Sequence, residues 1–438
     1  MKNLILPVLA TTVSICAVAS VPVIKPGSVT FTQGSSRLVT IGYELQNEAA
    51  VVTIDIQTNG VSIGAANTRG MYGDVHVKVE PGPDKKAYWA PVKSWPDKVV
   101  SDGSMTAVVK AWATNAPPEW MIVNLDRTYE GRADAVKYYT SLDQSPDGGD
   151  ISSEVYKTSR IVLKRIPAGG VPFFMGAHPK ETGYQGANES LHRVMLSSDY
   201  YIGVYEITQG QYGKIYSTPS KFYFMKEGAC RPVEHLTWNN IRGETSYWPG
   251  TSNADGYGSV ADASFLGSLR KFVGGAVAFD LPTEAQWEFA CRAGTQTGLY
   301  TGLDISDSNP CANLESIARY NGNCNNGHAI IELGNTTAGP DTATAVVGTY
   351  EPNKFGLYDM LGNVREFCLG WYDETANYGR DAIDPTGPVN DASDAVCACR
   401  GGSYVDAPNG CRSAKRFTQK RGQNSRATGF RICVPLNY

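Results

Sequence analysis

The sequence predicts a β-rich chain of two parts, an all-β module followed by a larger domain of mixed helices and strands. Its 438 residues are enough for two or three domains. Glycine is abundant, at 46 residues, and charged residues make up only 19% of the chain, which is typical of loop-rich, β-containing extracellular proteins. The cysteines separate the two parts, because all of those beyond Cys16 lie after position 229.

The first 19 residues have the organisation of a signal peptide. Lys2 supplies a positive charge, Leu4–Val18 an apolar run, and Ala17-Val18-Ala19 a small-residue cleavage site. The alternative is an ordinary buried N-terminal segment. No later run reaches the roughly 18–20 apolar residues that a membrane helix needs. We therefore expect an exported protein without a membrane span, in the periplasm, at the cell surface or outside the cell.

Charge and cysteine content limit the partners and the chemistry. A formal net charge of −4 gives no reason to expect nucleic acid as a partner. Of the ten cysteines, Cys16 would leave with the signal peptide, and most of the others should pair in an oxidising compartment. Cys311 and Cys324 lie in the long polar segment 295–352 and are candidates for a local disulfide. Loops of that length are usually functional or tied down.

Residues 20–113 have the pattern of a small β-sandwich like fibronectin or immunoglobulin modules. Arg37–Leu45 and Ala50–Gln57 alternate or are β-branched, and turn residues recur at intervals of about ten residues. The mature part of this module has no cysteine and no clustered acid, base or nucleophile, so we expect it to serve adhesion, spacing or docking. Further strands are expected at Asp74–Val79, Lys86–Ala90 and Met105–Trp112.

The segment 114–157 is predicted to be a linker that contains a bridging strand at Trp120–Leu125, and the second domain is predicted over 158–438. Within the second domain, Thr208 is placed to cap a helix over Gln209–Tyr216.

The strongest helix pattern in the chain is Leu281–Gly294. Thr283 is the expected N-cap and Gly294 the expected end. Its apolar residues are distributed all around the helix axis, so we expect this helix to be mostly buried.

The stretch Asn353–Asp373 surrounds a polar island, which includes Asp359, Asn363 and Glu366, with apolar residues. Its spacing is neither alternating nor helical, which predicts an irregular buried loop. Buried irregular backbone needs hydrogen-bond partners. Carboxylates, an amide and a glycine either meet that need or hold a hard cation such as Ca²⁺. Both interpretations remain open on this pattern alone.

Eight motifs in order resemble the sulfatase-modifying-factor family, the formylglycine-generating enzymes and their bacterial relatives. The resemblance covers about residues 158–438. It implies a C-type-lectin-like α+β fold with little regular structure, so the predicted fold is this domain preceded by an all-β sandwich module. The motifs are IPAGG with MG, YEIT, PVEHLTW, LPTEAQWEFACRAG, NKFGLYDMLGNVREF, RGGSY, CRSAKR and GFR.

The family's catalysts oxidise a sulfatase cysteine to formylglycine with O₂, using a cysteine pair that binds Cu(I), an ion for which thiolates are suitable ligands. In catalytic members the first of these cysteines lies just after the RGGSY-like motif. Here the residues after Tyr404 contain no cysteine before Cys411, so the pair is missing from its place. Cys397 and Cys399, on one side of a predicted strand, are candidates for a displaced pair, the alternatives being core residues or disulfide partners.

The resemblance also implies a structural Ca²⁺ site and a disulfide. Cys411 matches a structural cysteine of the family and would pair with Cys291. The Ca²⁺ ligands carried over are the side chains of Asp359 and Glu366 and the main-chain carbonyls of Gly362 and Val364.

The arginines of the terminal motifs, Arg400, Arg412, Arg416 and Arg431, have two interpretations. One is structural ion pairing within a loop-rich core. The other is a concave ligand surface that recognises an anionic or sugar group on a protein or glycan. Its candidate residues are Asn409, Arg416, Asn424 and Arg426.

Three functions remain open on the sequence. The first is the family's oxidase activity, through an arrangement that differs from the missing cysteine pair. The second is a non-catalytic extracellular binding protein that uses the lectin-like C-terminal surface. The third is a structural component of the cell envelope.

Overall fold

The structure is a computed structural model that describes residues 21–98, 100, 103–216, 227–243, 260–306, 308–324, 343–372, 381–387 and 396–436. The predicted signal peptide, residues 1–19, lies outside the described residues. Helices and strands are both present, as the α+β prediction requires. Within the described residues, no helix combines the length and apolar character needed to cross a membrane.

Two β-sheets form the N-terminal module. In one the strand order is β1-β3-β8-β6 with β2 beside β3, and in the other it is β5-β4-β7 with β9 beside β4. Ile41 of the first sheet and Ile54 of the second lie in one apolar cluster with Trp89, so the sheets share a core. The strands are β1 Val23–Ile24, β2 Thr30–Gln33, β3 Val39–Gln46, β4 Ala50–Thr58, β5 Val61–Ser62, β6 Tyr72–Gly73, β7 Lys78–Val79, β8 Gly82–Trp89 and β9 Met105–Ala113, with a short helix α1 at Pro91–Ser94.

The predicted strand Asp74–Val79 is mostly absent and is reduced to β7. His76 has a φ of 60°, in the left-handed region. Extended strand residues have negative φ, so a strand cannot continue through this residue.

The second domain is built from three further sheets. Their orders are β11-β10-β12-β15-β21, β13-β14-β17 and β19-β18-β16-β20. The strands are β10 Trp120–Asn124, β11 Val136–Tyr139, β12 Arg160–Ile166, β13 Pro172–Met175, β14 His192–Met195, β15 Tyr200–Gly203, β16 Arg365–Trp371, β17 Ala382–Ile383, β18 Val396–Arg400, β19 Arg416–Lys420, β20 Thr428–Gly429 and β21 Cys433–Pro435. The helices are α2 Val155–Thr158, α3 Gln209–Ile215, α4 Trp238–Arg242, α5 Phe265–Phe272, α6 Glu284–Arg292 and α7 Asn321–Cys324.

The segment predicted as a linker contributes to the sheet of the second domain. Strand β10 pairs with β12 along its whole length, from Trp120 opposite Lys164 to Asn124 opposite Arg160. Met121 and Val123 of β10 are buried in the core beneath it. The strands β10 and β11 therefore belong to the sheet that contains β12, because their backbone hydrogen bonds are formed there.

The two predicted helices are confirmed. In α3 the side chain of Thr208 accepts a hydrogen bond from the Gln211 N–H, and in α6 Thr283 accepts one from Gln286. Both are capping boxes, which satisfy otherwise unpaired N–H groups of the first turn. Helix α6 ends at Arg292, two residues before the expected end at Gly294, with Ala293 in the left-handed conformation at φ 45°. Its Trp287 is fully buried, as the distribution of apolar residues predicts.

The N-terminal module is attached to the second domain through His76. The Tyr138 N–H donates to the His76 carbonyl at 2.8 Å. The His76 Nδ1 lies 2.9 Å from the Tyr138 carbonyl oxygen, and its ring centre is 4.6 Å from that of Tyr139. Nearby, Arg69 Nε donates to the Asp143 carbonyl at 3.1 Å. The loop before β7 is thus joined to β11, and the segment before β6 is joined to the turn that follows β11.

Acid is expected to weaken this attachment through His76. Burial lowers the pKa of His76 to about 4, and its Nε2 has no hydrogen-bond partner among the described residues. Because the unfolded chain binds the proton more readily, stability should fall as the pH drops from about 6.5 towards 4, by up to about 3 kcal/mol. Urea denaturation of the wild type across this pH range measures the effect.

The matched variants for that experiment are His76→Gln, which removes the titrating group, and His178→Gln at an exposed position. The His76→Gln protein should have a flatter stability profile between pH 6.5 and 4. The His178→Gln protein should follow the wild type. An identical slope in the wild type and His76→Gln would contradict this assignment.

Candidate functional site

Asn363 and Gly362 tie the stretch 353–373 into the core. The Asn363 side chain accepts the Ala345 N–H at 2.8 Å and donates to Glu206 Oε2 at 2.6 Å. Gly362 has φ 79°, and a Cβ there would meet the Arg319 carbonyl oxygen at 2.3 Å, so only glycine fits. Residues 353–364 are irregular and mostly buried, and polar side chains accept hydrogen bonds from the backbone here, as predicted. Arg365–Trp371 instead forms the regular strand β16, so the prediction of an irregular loop is wrong for this part of the stretch.

Three carboxylates and one guanidinium are buried together beside this loop. Arg431 forms a bidentate ion pair with Glu366, with Nε–Oε2 at 2.7 Å and Nη2–Oε1 at 2.6 Å. The Trp287 indole N–H also donates to Glu366 Oε2, at 2.7 Å. Asp359 and Glu206 complete the group, which we name the carboxylate cluster: Glu206, Asp359, Glu366 and Arg431.

The carboxylate cluster carries more negative charge than its single arginine neutralises. Burial raises the pKa of Glu206 well above its usual range, and the charges of Asp359 and Glu366 raise it further. Burial also raises the pKa of Asp359 to about 6. Asp359 Oδ2 accepts the Gly348 N–H at 2.7 Å, while its Oδ1 is buried without a hydrogen-bond partner among the described residues.

These observations test the Ca²⁺ ligands that the resemblance implies. The unpartnered Asp359 oxygen and the excess of carboxylate fit a divalent cation. Glu366 fits less well, because three of the four lone-pair positions on its oxygens accept from Arg431 and Trp287. In the parts of the chain that the structure describes, no three His, Cys, Asp or Glu side chains are gathered in a metal-binding arrangement.

Asp406 lies in the loop after Tyr404, where the family's copper cysteines are expected. Arg365 Nε donates to Asp406 Oδ2 at 2.9 Å, and the Ser403 hydroxyl donates to the same oxygen at 2.6 Å. The Arg365 guanidinium also lies over the Phe417 ring, 4.0 Å from its centre. An ion pair thus fixes the position of this loop. Residues 405–410 of the loop supply no sulfur ligand.

Cys397 and Cys399 do not form an accessible thiolate pair. Both lie on β18 and belong to the same apolar cluster beneath that strand. Burial raises the pKa of both thiols far above the usual value. Since the thiolate is the form that binds copper, this environment does not fit Cu(I).

Neither predicted disulfide is present in this structure, in which no disulfide joins any two of the described cysteines. The sulfur of Cys291 lies 3.6 Å from the Ser413 hydroxyl, and burial raises the pKa of this thiol to about 12. The sulfur of Cys311 accepts from the Ser306 N–H at 3.4 Å, and that of Cys324 lies 3.8 Å from the Ala343 carbonyl. Cys411 is fully buried. The sulfurs therefore contact polar groups or core residues instead of each other.

The other arginines of the terminal motifs also form buried ion pairs. Arg412 contacts Glu181 at 2.7 Å and Glu189 at 2.9 Å. Arg400 contacts Glu288 and, at 3.6 Å, Glu284. The structural interpretation of these arginines is therefore the one that the structure supports.

Arg416 does not belong to the predicted ligand surface. Arg416 is almost fully buried, pairs with Glu284 at 2.7 Å and lies over the Tyr372 ring at 4.3 Å, so it does not face solvent. Asn409 and Asn424 are exposed and Arg426 is half-buried. These three are the predicted surface residues that remain accessible to solvent.

Sequence reasoning missed Glu206 and the pairing of Asp406 with Arg365. Glu206 lies in the YEIT motif, and a single acid in an apolar stretch of sequence is the signal that indicates a buried partner. The partner of Asp406 is 41 residues away in the sequence, and no local pattern identifies it.

Residues 157–435 match the family described as the sulfatase-modifying factor enzyme 1-like domain. A formylglycine-generating enzyme of Streptomyces coelicolor is 33% identical over 154 residues, which are 34% of this chain and 45% of that protein. The chaperone protein LppX of Paenibacillus barcinonensis is 30% identical over 197 residues, which are 40% of this chain and 63% of that protein. The chain thus spans about half to two thirds of the length of these relatives.

Among solved structures, Treponema denticola variable protein 1 aligns with 63% of this chain and 95% of its own length, at 24% identity and a TM-score of 0.43. Similarity at this level does not by itself assign a fold. The family match covers more than half of the chain, and its residues are those that carry the eight motifs. The chain belongs to the sulfatase-modifying factor family.

Proposed function

We propose that this protein is a non-catalytic binding protein built on a sulfatase-modifying-factor domain. The observation that carries the proposal is the loop after Tyr404, where Asp406 is held by Arg365 and Ser403 and no thiol is present. The nearby thiols of Cys397, Cys399 and Cys411 are buried, and burial raises the pKa of each. Oxidation of a substrate cysteine through Cu(I) needs accessible thiolates, which this arrangement does not supply.

The binding surface that we propose is the C-terminal one formed by Asn409, Asn424 and Arg426, with a protein or glycan as partner. Exposed amides and a guanidinium suit hydrogen bonding to polar or anionic groups. In this proposal the domain has a C-type-lectin-like architecture, and the N-terminal sheets form a sandwich that acts as a stalk or docking unit.

The second candidate is formylglycine generation, favoured by the similarity to the Streptomyces coelicolor enzyme. Cu(I) titration combined with an aldehyde assay on a Cys-x-Pro-x-Arg peptide separates the two candidates. We expect neither stoichiometric copper binding nor aldehyde formation. Copper binding with aldehyde formation, lost in a Cys397→Ser/Cys399→Ser variant, would replace our proposal by an oxidase with a displaced cysteine pair.

We also propose a structural Ca²⁺ ion at Asp359, Gly362, Val364 and Glu366. The support is the unpartnered Asp359 oxygen and the negative charge of the carboxylate cluster. The ion would neutralise this charge and stabilise the loop, and it has no role in chemistry. A Ca²⁺-dependent thermal shift that requires Asp359 is the test.

Export to the periplasm, cell surface or exterior is proposed from the signal-peptide pattern of residues 1–19. N-terminal sequencing of the mature protein should begin at Ser20, and an N-terminus at Met1 in the mature protein would contradict export by this route.

A further inference from the structure

A cleft of about 830 Å³ lies between the N-terminal module and the second domain. Tyr72 and Lys78 line it from the N-terminal side, and Tyr129, Lys137 and Arg160 line it from the other. Its volume is within the range of about 300–1,000 Å³ that small-molecule sites occupy. The attachment of His76 to Tyr138 holds the two walls together.

The carboxylates around this cleft have cation partners. Asp147 pairs with Arg160 at 2.8 Å, and Asp134 pairs with Arg132 at 2.5 Å. Glu80 lies 3.8 Å from the Lys78 ammonium.

Lys137 is the lining cation that forms no ion pair among the described residues. In the described part of the chain, no carboxylate lies within 4.0 Å of its ammonium, and the side chain is half-buried. Burial lowers the pKa of Lys137, the charge of Asp134 partly opposes this effect, and the charge of Arg132 adds to it. An anionic group bound in the cleft would offset the unfavourable burial of this ammonium.

The aromatic side chains of the cleft supply a second kind of contact. Tyr72 is 51% exposed, and one face of its ring is stacked on Tyr88 with the ring centres 5.2 Å apart. A ring held on one face and exposed at the other provides a flat apolar platform with a polar hydroxyl at its edge. The C–H face of a sugar ring can pack on such a platform. The hydroxyl groups of the same sugar supply the hydrogen bonds.

We propose that this cleft binds an acidic saccharide, with its carboxylate paired to Lys137 and a sugar face packed on Tyr72. The site is separate from the C-terminal surface formed by Asn409, Asn424 and Arg426. It does not depend on whether the domain retains oxidase activity, so this proposal goes beyond the proposed function.

Isothermal titration calorimetry on the mature protein, with trigalacturonate as probe, tests the proposal. Maltotriose is the neutral comparison and sodium sulfate the simple-anion comparison. We expect trigalacturonate to bind, and Lys137→Gln and Tyr72→Ala each to weaken its binding by about tenfold or more, as the loss of roughly 1.4 kcal/mol would produce.

The matched controls are Lys214→Gln, which removes a half-buried lysine outside the cleft, and Phe174→Ala, which removes an exposed aromatic ring elsewhere. Both should bind trigalacturonate as the wild type does, and thermal melting verifies that all four variants are folded. Lack of trigalacturonate binding, equal binding of maltotriose, or binding of sulfate as tight as that of the saccharide would overturn the proposal. So would unchanged binding in Lys137→Gln. None of these outcomes alters the copper and aldehyde result that tests the proposed function.

Discussion

Replacing Arg431 by methionine is expected to lower the free energy of unfolding by about 3–5 kcal/mol. The substitution removes the guanidinium that pairs with Glu366 and whose positive charge also acts on the buried Glu206 and Asp359. It also removes hydrogen bonds that Arg431 donates to the carbonyls of Gly203 and Tyr358, both at 2.9 Å. Urea denaturation at pH 7.5, in the presence of a chelator, measures the loss.

The matched control is Arg132→Met, which breaks an exposed ion pair with Asp134. Exposed pairs contribute about 0–1 kcal/mol, so this variant should remain close to the wild type. The deficit of Arg431→Met should also shrink at pH 5, since protonation of the carboxylates relieves their repulsion. A loss below about 1 kcal/mol at pH 7.5 would mean that the cluster is not the buried network described above.

Replacing Asp359 by asparagine is expected to stabilise the metal-free protein at pH 8 by about 2–3 kcal/mol. Asparagine keeps an oxygen for the Gly348 N–H, and its amide can donate to the neighbouring carboxylates. It also removes a buried negative charge whose pKa burial raises from 3.8 to about 6.

The sign of this effect follows from the direction of the pKa shift. A carboxyl group with a raised pKa in the folded state favours folding below its unfolded pKa, and this contribution is lost as the pH rises through the folded value. The advantage of Asp359→Asn should therefore be full above about pH 6 and absent below about pH 4. Urea denaturation from pH 4 to 8 measures it, with Asp126→Asn at an exposed position as control.

In the presence of Ca²⁺, the proposed site should make the wild type more stable than Asp359→Asn. Millimolar Ca²⁺ should raise the Tm of the wild type and leave that of Asp359→Asn nearly unchanged, because the variant lacks the anionic ligand. A wild-type Tm that does not respond to Ca²⁺ would contradict the calcium site. The metal-free stabilisation of Asp359→Asn would stand independently of that result.

Local patterns in the sequence were sufficient for the elements whose determinants are close together in the chain. The helix α6 follows from Thr283, the acidic first turn and the glycine beyond its end, all within 14 residues of sequence. The strands β3, β4 and β9 follow from alternation and β-branching in the same way. The ordered motifs likewise identified the family, because each is a short contiguous stretch.

Partners that are distant in the sequence were not predictable from one chain. Arg431 and Glu366 are 65 residues apart, and Arg412 and Glu189 are 223 apart. No pattern in the neighbouring residues distinguishes an arginine that pairs with a distant carboxylate from one that faces a ligand. The sequence therefore predicts Arg416 as a candidate for the ligand surface, whereas in the structure it is buried, pairs with Glu284 and lies over the Tyr372 ring.

Contiguous residue patterns were enough to recognise the family, the principal helices and strands, and the absence of the copper cysteines from the loop after Tyr404. The folded chain was needed to show that the carboxylate cluster exceeds its positive charge, that the thiols of Cys397 and Cys399 are buried, and that a cleft lies between the N-terminal module and the second domain. The physical reason is that burial and charge balance depend on which distant segments meet. Helix caps and strand alternation depend only on neighbours along the chain.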